Sequence, residues 1–521
     1  MQRRAFGTVG HAVVYPRVRT ATADPVRQSS RWTSDLNAPI VEASDDQGGA
    51  LNVIWILPML RFTPTLFTLL AASALAASCG GRSALRDGLS ASGGGGGSAP
   101  TSSTSSTTST SSSISGSGGA PPTCDQLLLT GAPITYEPTS FEHGSRPSLV
   151  PATDDGSLVS VVLARQIVEG PSVPPIRIVD ASFSPWGDWP STLGPADQVC
   201  SFGGEAFAVA PAMAAGQPGF ATLFYLPTNS FPSDMYLAPG ASTKTSYDPF
   251  PEGISWDAGE PAWPVALARG ATGMLAAYQI GVGSHSFMSL ALVDSASLSV
   301  EVVHDVACAD APFTAAAVPA QGGFLVATAA GRAFGACMLD DGVPGPADEV
   351  HVMRFDQAKK QLTLSASFEE PDPLAHIALA KRGGGAWVVW QSDGASAEAP
   401  PPIRAARLDE GGLPVGPVFP ITHDGETTGP FAAASIGPLL AVAWVDSLDP
   451  GYPTLRLDLF DEAGALVTGS SINTGPAWLY NASLSLLPSP DGRQLLLAWS
   501  DIASPDPATV RVARFSCAAG P

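Results

Sequence analysis

A chain of 521 residues can hold two or three ordinary domains or one large all-β domain. Its 54 glycines and 49 prolines, with only 14% charged residues, suit short strands and tight turns better than long helices. A net charge of −21 argues against nucleic acid as a partner, because phosphate binding needs a basic surface.

Residues 1–58 scatter Arg, Pro, Ser and Asp with no sustained apolar period. They read as a gene-model artefact or a disordered extension, with translation starting at Met59. Residues 59–78 have the plan of a secretory signal. Arg61 supplies the positive charge, Phe62 to Ala77 are uncharged and rich in Leu and Ala, and Ala77-Ser78 are small. With Cys79 directly after them, the stretch resembles a bacterial lipoprotein signal. Such signals usually carry Leu three residues before the cysteine; here Ala76 stands there and Leu75 one step earlier. The resemblance implies cleavage before Cys79, lipidation of Cys79, and an anchor in the outer membrane on its periplasmic or cell-surface side. An ordinary cleaved signal or an uncleaved membrane anchor are the competing readings. With seven arginines and five acids in residues 1–78, the rest of the chain carries 19 bases and 42 acids, a net −23.

Residues 79–123 read as a flexible tether. They hold the run Gly93 to Gly97 and the Ser/Thr tract Thr101 to Ser113. Few apolar side chains are available there to offset the entropy of ordering. Such a spacer has the reach to hold the next domain clear of a membrane.

From Cys124 onward the sequence repeats. Each unit has a small apolar run, a Gly-containing turn, and a hydrophobic strand often ending in an aromatic residue. His376 to Ala380, Gly383 to Gly385 and Ala386 to Trp390 form one copy; Phe431 to Ser435, Gly437 and Leu440 to Trp444 form another. Ala482 to Leu486, Pro490 to Arg493 and Leu495 to Trp499 form the last. The turns near residues 156, 219, 273, 323, 384, 437 and 492 recur every 50 to 63 residues. A third, alternating run follows, such as Ile403 to Leu408 or Leu455 to Phe460, and then a fourth. Four short strands at this period describe a propeller blade, so residues 124–521 are expected to be an all-β, seven-bladed β-propeller with blades of about 50–60 residues. A β-solenoid or two stacked sandwiches are the other architectures that fit.

The final unit stops after its third strand, Thr509 to Cys517. The segment Ile134 to Ser140 is expected to supply the missing strand and close the ring. Cys124 and Cys517 flank that seam and are expected to bond in an oxidising compartment. Cys308 and Cys337 are a second candidate pair, on loops of one face, which leaves Cys200 without an assigned partner. No C-x-x-C pair suggests structural zinc.

The chain has no phosphate loop, no H-E-x-x-H and no G-x-S-x-G, and nothing in it calls for a cofactor. Ser489 to Arg493 resembles the repeat of TolB-type propellers, where it is a turn. Asp154-Asp155-Gly156 and Asp340-Asp341-Gly342 lack the further acids of a calcium loop. On one face the connections are expected to gather Glu142-His143, His304-Asp305 and His423-Asp424, with Asp393, Asp446, Asp449, Asp501 and Asp506 nearby. His143, His304, Asp305, His423 and Asp424 are thus weak metal or acid–base candidates, since loops collect polar residues anyway. Trp390, Trp444 and Trp499 occupy equivalent strand ends and read as packing. Trp186, Trp189, Trp256, Trp263 and Trp478 lie in or beside loops, where an aromatic stacks on a sugar or anchors a partner.

Two functions follow. The favoured one is a cell-envelope lipoprotein whose non-catalytic propeller binds a protein, glycan or envelope partner. The alternative is an extracytoplasmic propeller enzyme acting on polysaccharide, a hydrolase or lyase, which needs paired carboxylates.

Overall fold

A computed structural model describes residues 124–136, 142–153, 155–167, 175–190, 193, 197–203, 207–210, 221–226, 234–239, 254–257, 262–271, 273–282, 285–294, 299–309, 314–330, 348–392, 401–422, 427–446, 454–473, 484–501 and 509–518. These residues form strands and turns.

The described chain opens with β1 (Gln126–Leu129) and β2 (Ile134–Tyr136). Blade 1 is β3 (Glu142–Pro151), β4 (Val159–Ile167), β5 (Pro175–Phe183) and β6 (Asp197–Gly203). Blade 2 is β7 (Phe207–Ala210), β8 (Ala221–Leu226), β9 (Asp234–Pro239) and β10 (Ile254–Asp257). Blade 3 is β11 (Ala262–Arg269), β12 (Gly273–Val282), β13 (His285–Asp294) and β14 (Val300–Ala309). Blade 4 is β15 (Ala315–Ala320), β16 (Gly323–Ala330), β17 (Glu349–Asp356) and β18 (Gln361–Glu369). Blade 5 is β19 (Leu374–Arg382), β20 (Gly385–Ser392), β21 (Arg404–Leu408) and β22 (Phe419–Pro420). Blade 6 is β23 (Thr427–Ile436), β24 (Leu439–Asp446), β25 (Thr454–Phe460) and β26 (Leu466–Asn473). Blade 7 is β27 (Leu484–Pro488), β28 (Gln494–Asp501) and β29 (Thr509–Ala518), completed by β1 and β2.

Six sheets are antiparallel meanders in chain order, and the seventh runs β27-β28-β29 with β1 and β2 on its outer edge. The first strands meet in succession, β3 with β7, then β11, β15, β19, β23 and β27, and β27 returns to β3. Seven blades therefore close on one another as a β-propeller. Six of the anticipated turns fall at the junction of a blade's first and second strands, and the one at Gly219 lies outside the described residues. Five carry a glycine at positive φ (Gly156, Gly322, Gly384, Gly437 and Gly492), where a side chain would be strained.

Burial follows from blade stacking. β16, β20 and β24 are buried almost throughout, because both faces of a middle strand press on neighbouring blades. They accordingly read as unbroken apolar runs. Outer strands have one wet edge and are blunted. β22 has two residues and ends in Pro420, which has no N–H to offer. In β6, β18 and β26 a bulge leaves Val199, Ser365 and Val467 without an opposing residue.

The seam is richer than one strand. β1 pairs with the end of β29 (Gln126↔Ala518 to Leu129↔Phe515), and β2 with its start (Ile134↔Val512 to Tyr136↔Val510). The closing strand thus begins upstream of the expected Ile134 and is broken at Thr130 to Pro133. A disulfide joins Cys124 to Cys517 across it, with Cα atoms 4.8 Å apart.

We call the face of the first-to-second and third-to-fourth turns the lower face, and the opposite one the upper. On the lower face, turns lap onto the preceding blade. Lys360 of blade 4 pairs with Glu301 of blade 3 at 2.5 Å. Ser365 of blade 4 donates to the Gly411 carbonyl of blade 5 at 2.7 Å. Glu462 of blade 6 accepts from Arg382 (2.5 Å) and Arg407 of blade 5. The blade 1 connection reaches blade 7, where Arg514 donates to the Pro185 and Gly187 carbonyls at 2.6 and 2.8 Å.

Candidate functional site

The upper ends of blades 5, 6 and 7 repeat one arrangement. The last turn of the second strand carries Trp390, Trp444 and Trp499, all buried, as the blade-packing reading expected. Directly opposite each, on the third strand, stands an arginine: Arg404, Arg456 and Arg511. The tryptophans are packed in the core, each paired in register with its arginine. In blade 6 the Arg456 guanidinium lies 5.3 Å from the Trp444 ring centroid, a cation–π distance.

The carboxylates that meet these arginines come from different places. In blade 5 it is Glu370, from the connection that leaves β18. Its side chain is only 3% exposed, whereas Arg404 is 35% exposed. Trp390 Nε1 donates to Glu370 Oε1 at 2.6 Å, and Arg404 Nη1 to both oxygens at 2.9 and 2.8 Å. Ser392 Oγ adds a bond to Oε2 at 3.3 Å. Phe368 stacks on Trp390 at 5.0 Å. In blade 6 the arginine bonds within its own blade, Nη2 to Asp458 Oδ2 at 3.1 Å, with Asp446 at 3.8 Å. In blade 4 the same register holds Thr328 opposite His351. His351 is buried and its Nε2 meets Glu349 Oε2 at 2.7 Å.

Glu370 was not singled out by sequence reasoning. The available signal is indirect: a tryptophan at a buried strand end needs an acceptor for its N–H, and Glu369-Glu370 opens the adjoining connection. Chemically the carboxylate is saturated, holding blades 4 and 5 together with four donated hydrogen bonds.

Several expected site residues fall elsewhere. Glu142 and His143 belong to β3, paired with Ile167 and Gln166, because the first strand continues beyond a bulge rather than ending in a loop. His304 and Asp305 lie within β14, in the irregular stretch between Val303 and Ala307 that faces Ser289. That is the outermost strand of blade 3, so they are not loop residues of an axial mouth. Cys308 is also in β14, opposite Phe287, rather than in a loop. Cys200 is in β6, opposite Ile178. Asp446 and Asp501 end β24 and β28. Cys79, Cys337, Asp393, His423, Asp424, Asp449, Asp506 and Trp478 lie outside the described residues, as do residues 1–123. Among the described residues no group of three His, Cys, Asp or Glu side chains is placed to hold a metal ion.

The loop tryptophans divide. Trp256 and Trp263 sit in β10 and β11. Trp186 and Trp189 belong to the seam: Trp186 Nε1 donates to the Gly156 carbonyl at 2.7 Å and Trp189 Nε1 to that of Ala132 at 2.8 Å. Arg514 covers Trp189 at 4.9 Å, and Phe183 meets its edge at 6.2 Å. Burial lowers the pKa of the Arg514 guanidinium, with nearby Asp188 opposing the shift.

Of the acidic turn fragments, Asp154 and Asp340 to Gly342 lie outside the described residues, and Asp155 has a structural role. Asp155 accepts from Thr153 Oγ1 at 2.6 Å and from the Ser157 N–H at 2.9 Å, bonds that lower its pKa to about 2. In the Ser489 to Arg493 turn, Ser489 Oγ accepts from the Gln494 N–H at 2.8 Å and Asp491 from the Arg493 N–H at 3.0 Å.

No family model and no curated protein matches the chain. Among solved structures it is similar to a protein of unknown function from Dyadobacter fermentans, at 11% identity and a TM-score of 0.43, over 75% of this chain and 99% of that one. The RRP9 WD40 repeats give 12% identity and a TM-score of 0.44, over 75% and 99%. Parainfluenza virus 5 hemagglutinin-neuraminidase gives 7% and 0.37, over 60% and 90%.

Proposed function

We propose that the chain is a cell-envelope lipoprotein, anchored to the outer membrane through Cys79, whose propeller is a non-catalytic scaffold for a protein, glycan or envelope partner. The observation that carries this reading is the Cys124–Cys517 bond at the ring seam. A structural disulfide of this kind fits an oxidising, extracytoplasmic compartment, where the signal ending at Cys79 would deliver the chain. The non-catalytic part rests on Glu370. A general acid or nucleophile needs a lone pair or proton free for substrate, and this carboxylate spends its capacity on Trp390, Arg404 and Ser392. The outer edges of the blades are blunted, which favours recognition through the faces of the ring rather than by strand addition.

The test is expression of residues 59–521 in a Gram-negative host beside a Cys79→Ala form, with a clickable fatty acid in the medium. Label on the native form alone, recovered in the outer membrane, is the expected result. An unlabelled native chain free in the medium would overturn the anchoring.

A further inference from the structure

The lower face carries an apolar rim. Every large apolar side chain exposed among the described residues lies in the lower half of a blade or on a lower turn. Five lie on the lower turns of the neighbouring blades 5 and 6 or directly after them: Leu413 (53% exposed), Val415, Val418, Leu466 (56%) and Val467. Bonds tie these two turns together. The Val415 N–H donates to the Arg407 carbonyl at 2.7 Å, and the Arg407 guanidinium reaches Glu462 of blade 6. The same blade 6 turn presses Gly464 on Phe419, the neighbour of Val418, so closely that a Cβ there would sit 2.4 Å from the ring. Leu466 and Val467 follow directly, and Val467 is the bulged residue turned out of the ladder.

The chain enters the ring beside this rim. Gln126 pairs with Ala518 at the lower end of β29, and β1 lies beside β26, the outer strand of blade 6. We propose that this rim rests on the surface of the bilayer that holds the lipid anchor, contacting zwitterionic lipid through Leu413, Val415, Val418, Leu466 and Val467. The inference rests on the anchoring proposed above. A polypeptide tied to a membrane at Cys79 presents first the face by which it enters the domain, and that is the face with the exposed apolar residues. Gly80 to Thr123 is 44 residues rich in Gly, Ser and Thr, and linkers of that composition and length have an end-to-end distance of roughly 35–40 Å. The local concentration of bilayer is then high enough for a small apolar contact to be populated without strong affinity. The net −23 after residue 78 disfavours an anionic surface, which points to zwitterionic headgroups and to apolar rather than electrostatic attachment.

The test is hydrogen exchange on the acylated protein in phosphatidylcholine–phosphatidylethanolamine vesicles, with acylation read independently by intact mass. Amides of residues 409–420 and 461–468 should exchange about five-fold more slowly than in the Cys79→Ala protein without vesicles. A Leu413→Glu/Leu466→Glu form should lose that protection while keeping its acyl group; both side chains are exposed, so the ring stays intact. Acylated protein whose rim exchanges as fast as the soluble form would overturn the docking and leave the anchor standing. An unacylated chain would overturn the anchor alone. Added vesicles would then decide the docking, since rim protection of the soluble chain supports it and none refutes it. Rim protection that rises with protein concentration in the absence of vesicles would mean that a second copy covers the patch, and would also overturn the proposal.

Discussion

Replacing Cys124 by Ser tests whether the seam limits the stability of the ring. The bond joins residues 393 apart in sequence. In the chain-entropy model a loop of that length removes about 20 cal/mol/K from the unfolded ensemble, or about 6 kcal/mol at 25 °C. Measured disulfides commonly deliver about 2–4 kcal/mol, because the unfolded chain keeps some order. The ladders of β1 and β2 with β29 survive in the variant, so the ring should still close. The expected result is a lower urea midpoint, followed through the buried Trp390, Trp444 and Trp499 in a soluble Cys79→Ala background. A thiol reductant should bring the parent down to the variant and leave the variant where it is. Cys517→Ser should match Cys124→Ser, and the double variant should be no worse than either single one. Equal midpoints for oxidised parent and Cys124→Ser would refute the reasoning. The ring would then unfold from some other blade before its seam.

Four further outcomes are expected. Glu370→Ala should destabilise by about 2–3 kcal/mol in the same titration, because Trp390 loses the acceptor of its buried N–H while the half-exposed Arg404 can rehydrate; a neutral effect would show the network to be decorative. Gly464→Ala should cost about 2 kcal/mol, since a Cβ would enter the Phe419 ring at a position where φ is +82°. Trp189→Ala should destabilise by about 2–3 kcal/mol, by removing the ring that Arg514 covers, and a loss of glycan binding with unchanged stability would contradict its seam role. Glu462 has its pKa lowered chiefly by the hydrogen bond from Arg382, with the charges of Arg382 and Arg407 adding and burial opposing. A carboxylate lowered in this way contributes stability above its unfolded pKa, and loses it as pH falls through the folded value. Glu462→Gln should therefore cost about 1 kcal/mol or less at pH 7, given the exposure of the pair, and the gap in melting temperature should close under acid.

How much of this was legible in the chain depends on the range of the interaction. The described first-to-second turns were readable because each needs a glycine or a tight polar turn beside a strongly apolar second strand. Gly384 followed by Ala386 to Trp390 is such a case. Cys124 and Cys517 were pairable because the last unit is one strand short. What failed was the boundary between strand and loop on the outer strands. His304, Asp305 and Cys308 look like loop residues because polar and small residues interrupt the apolar run, yet an outer strand with a wet edge tolerates that interruption as a bulge. Trp189 looked available to a ligand for a related reason: nothing near it in sequence says that Arg514 lies over its ring.

The same distinction bears on where a partner can attach. Lower turns reach across blade boundaries, Glu462 to Arg382 and Arg407, Ser365 to Gly411, and residues 185–189 to Arg514. Each spends a polar side chain on a neighbouring blade, so a charge reversal there loosens the ring before it touches a ligand. Upper arginines are paired as well, Arg404 with Glu370 and Arg456 with Asp458. Leu413 and Leu466 differ from all of these in being large apolar side chains more than half exposed. Burying that exposed surface is favourable at roughly 25 cal/mol per Å². A substitution there should change what the ring touches and leave the ring itself unchanged, which makes the rim the part of the described surface where attachment and stability can be separated.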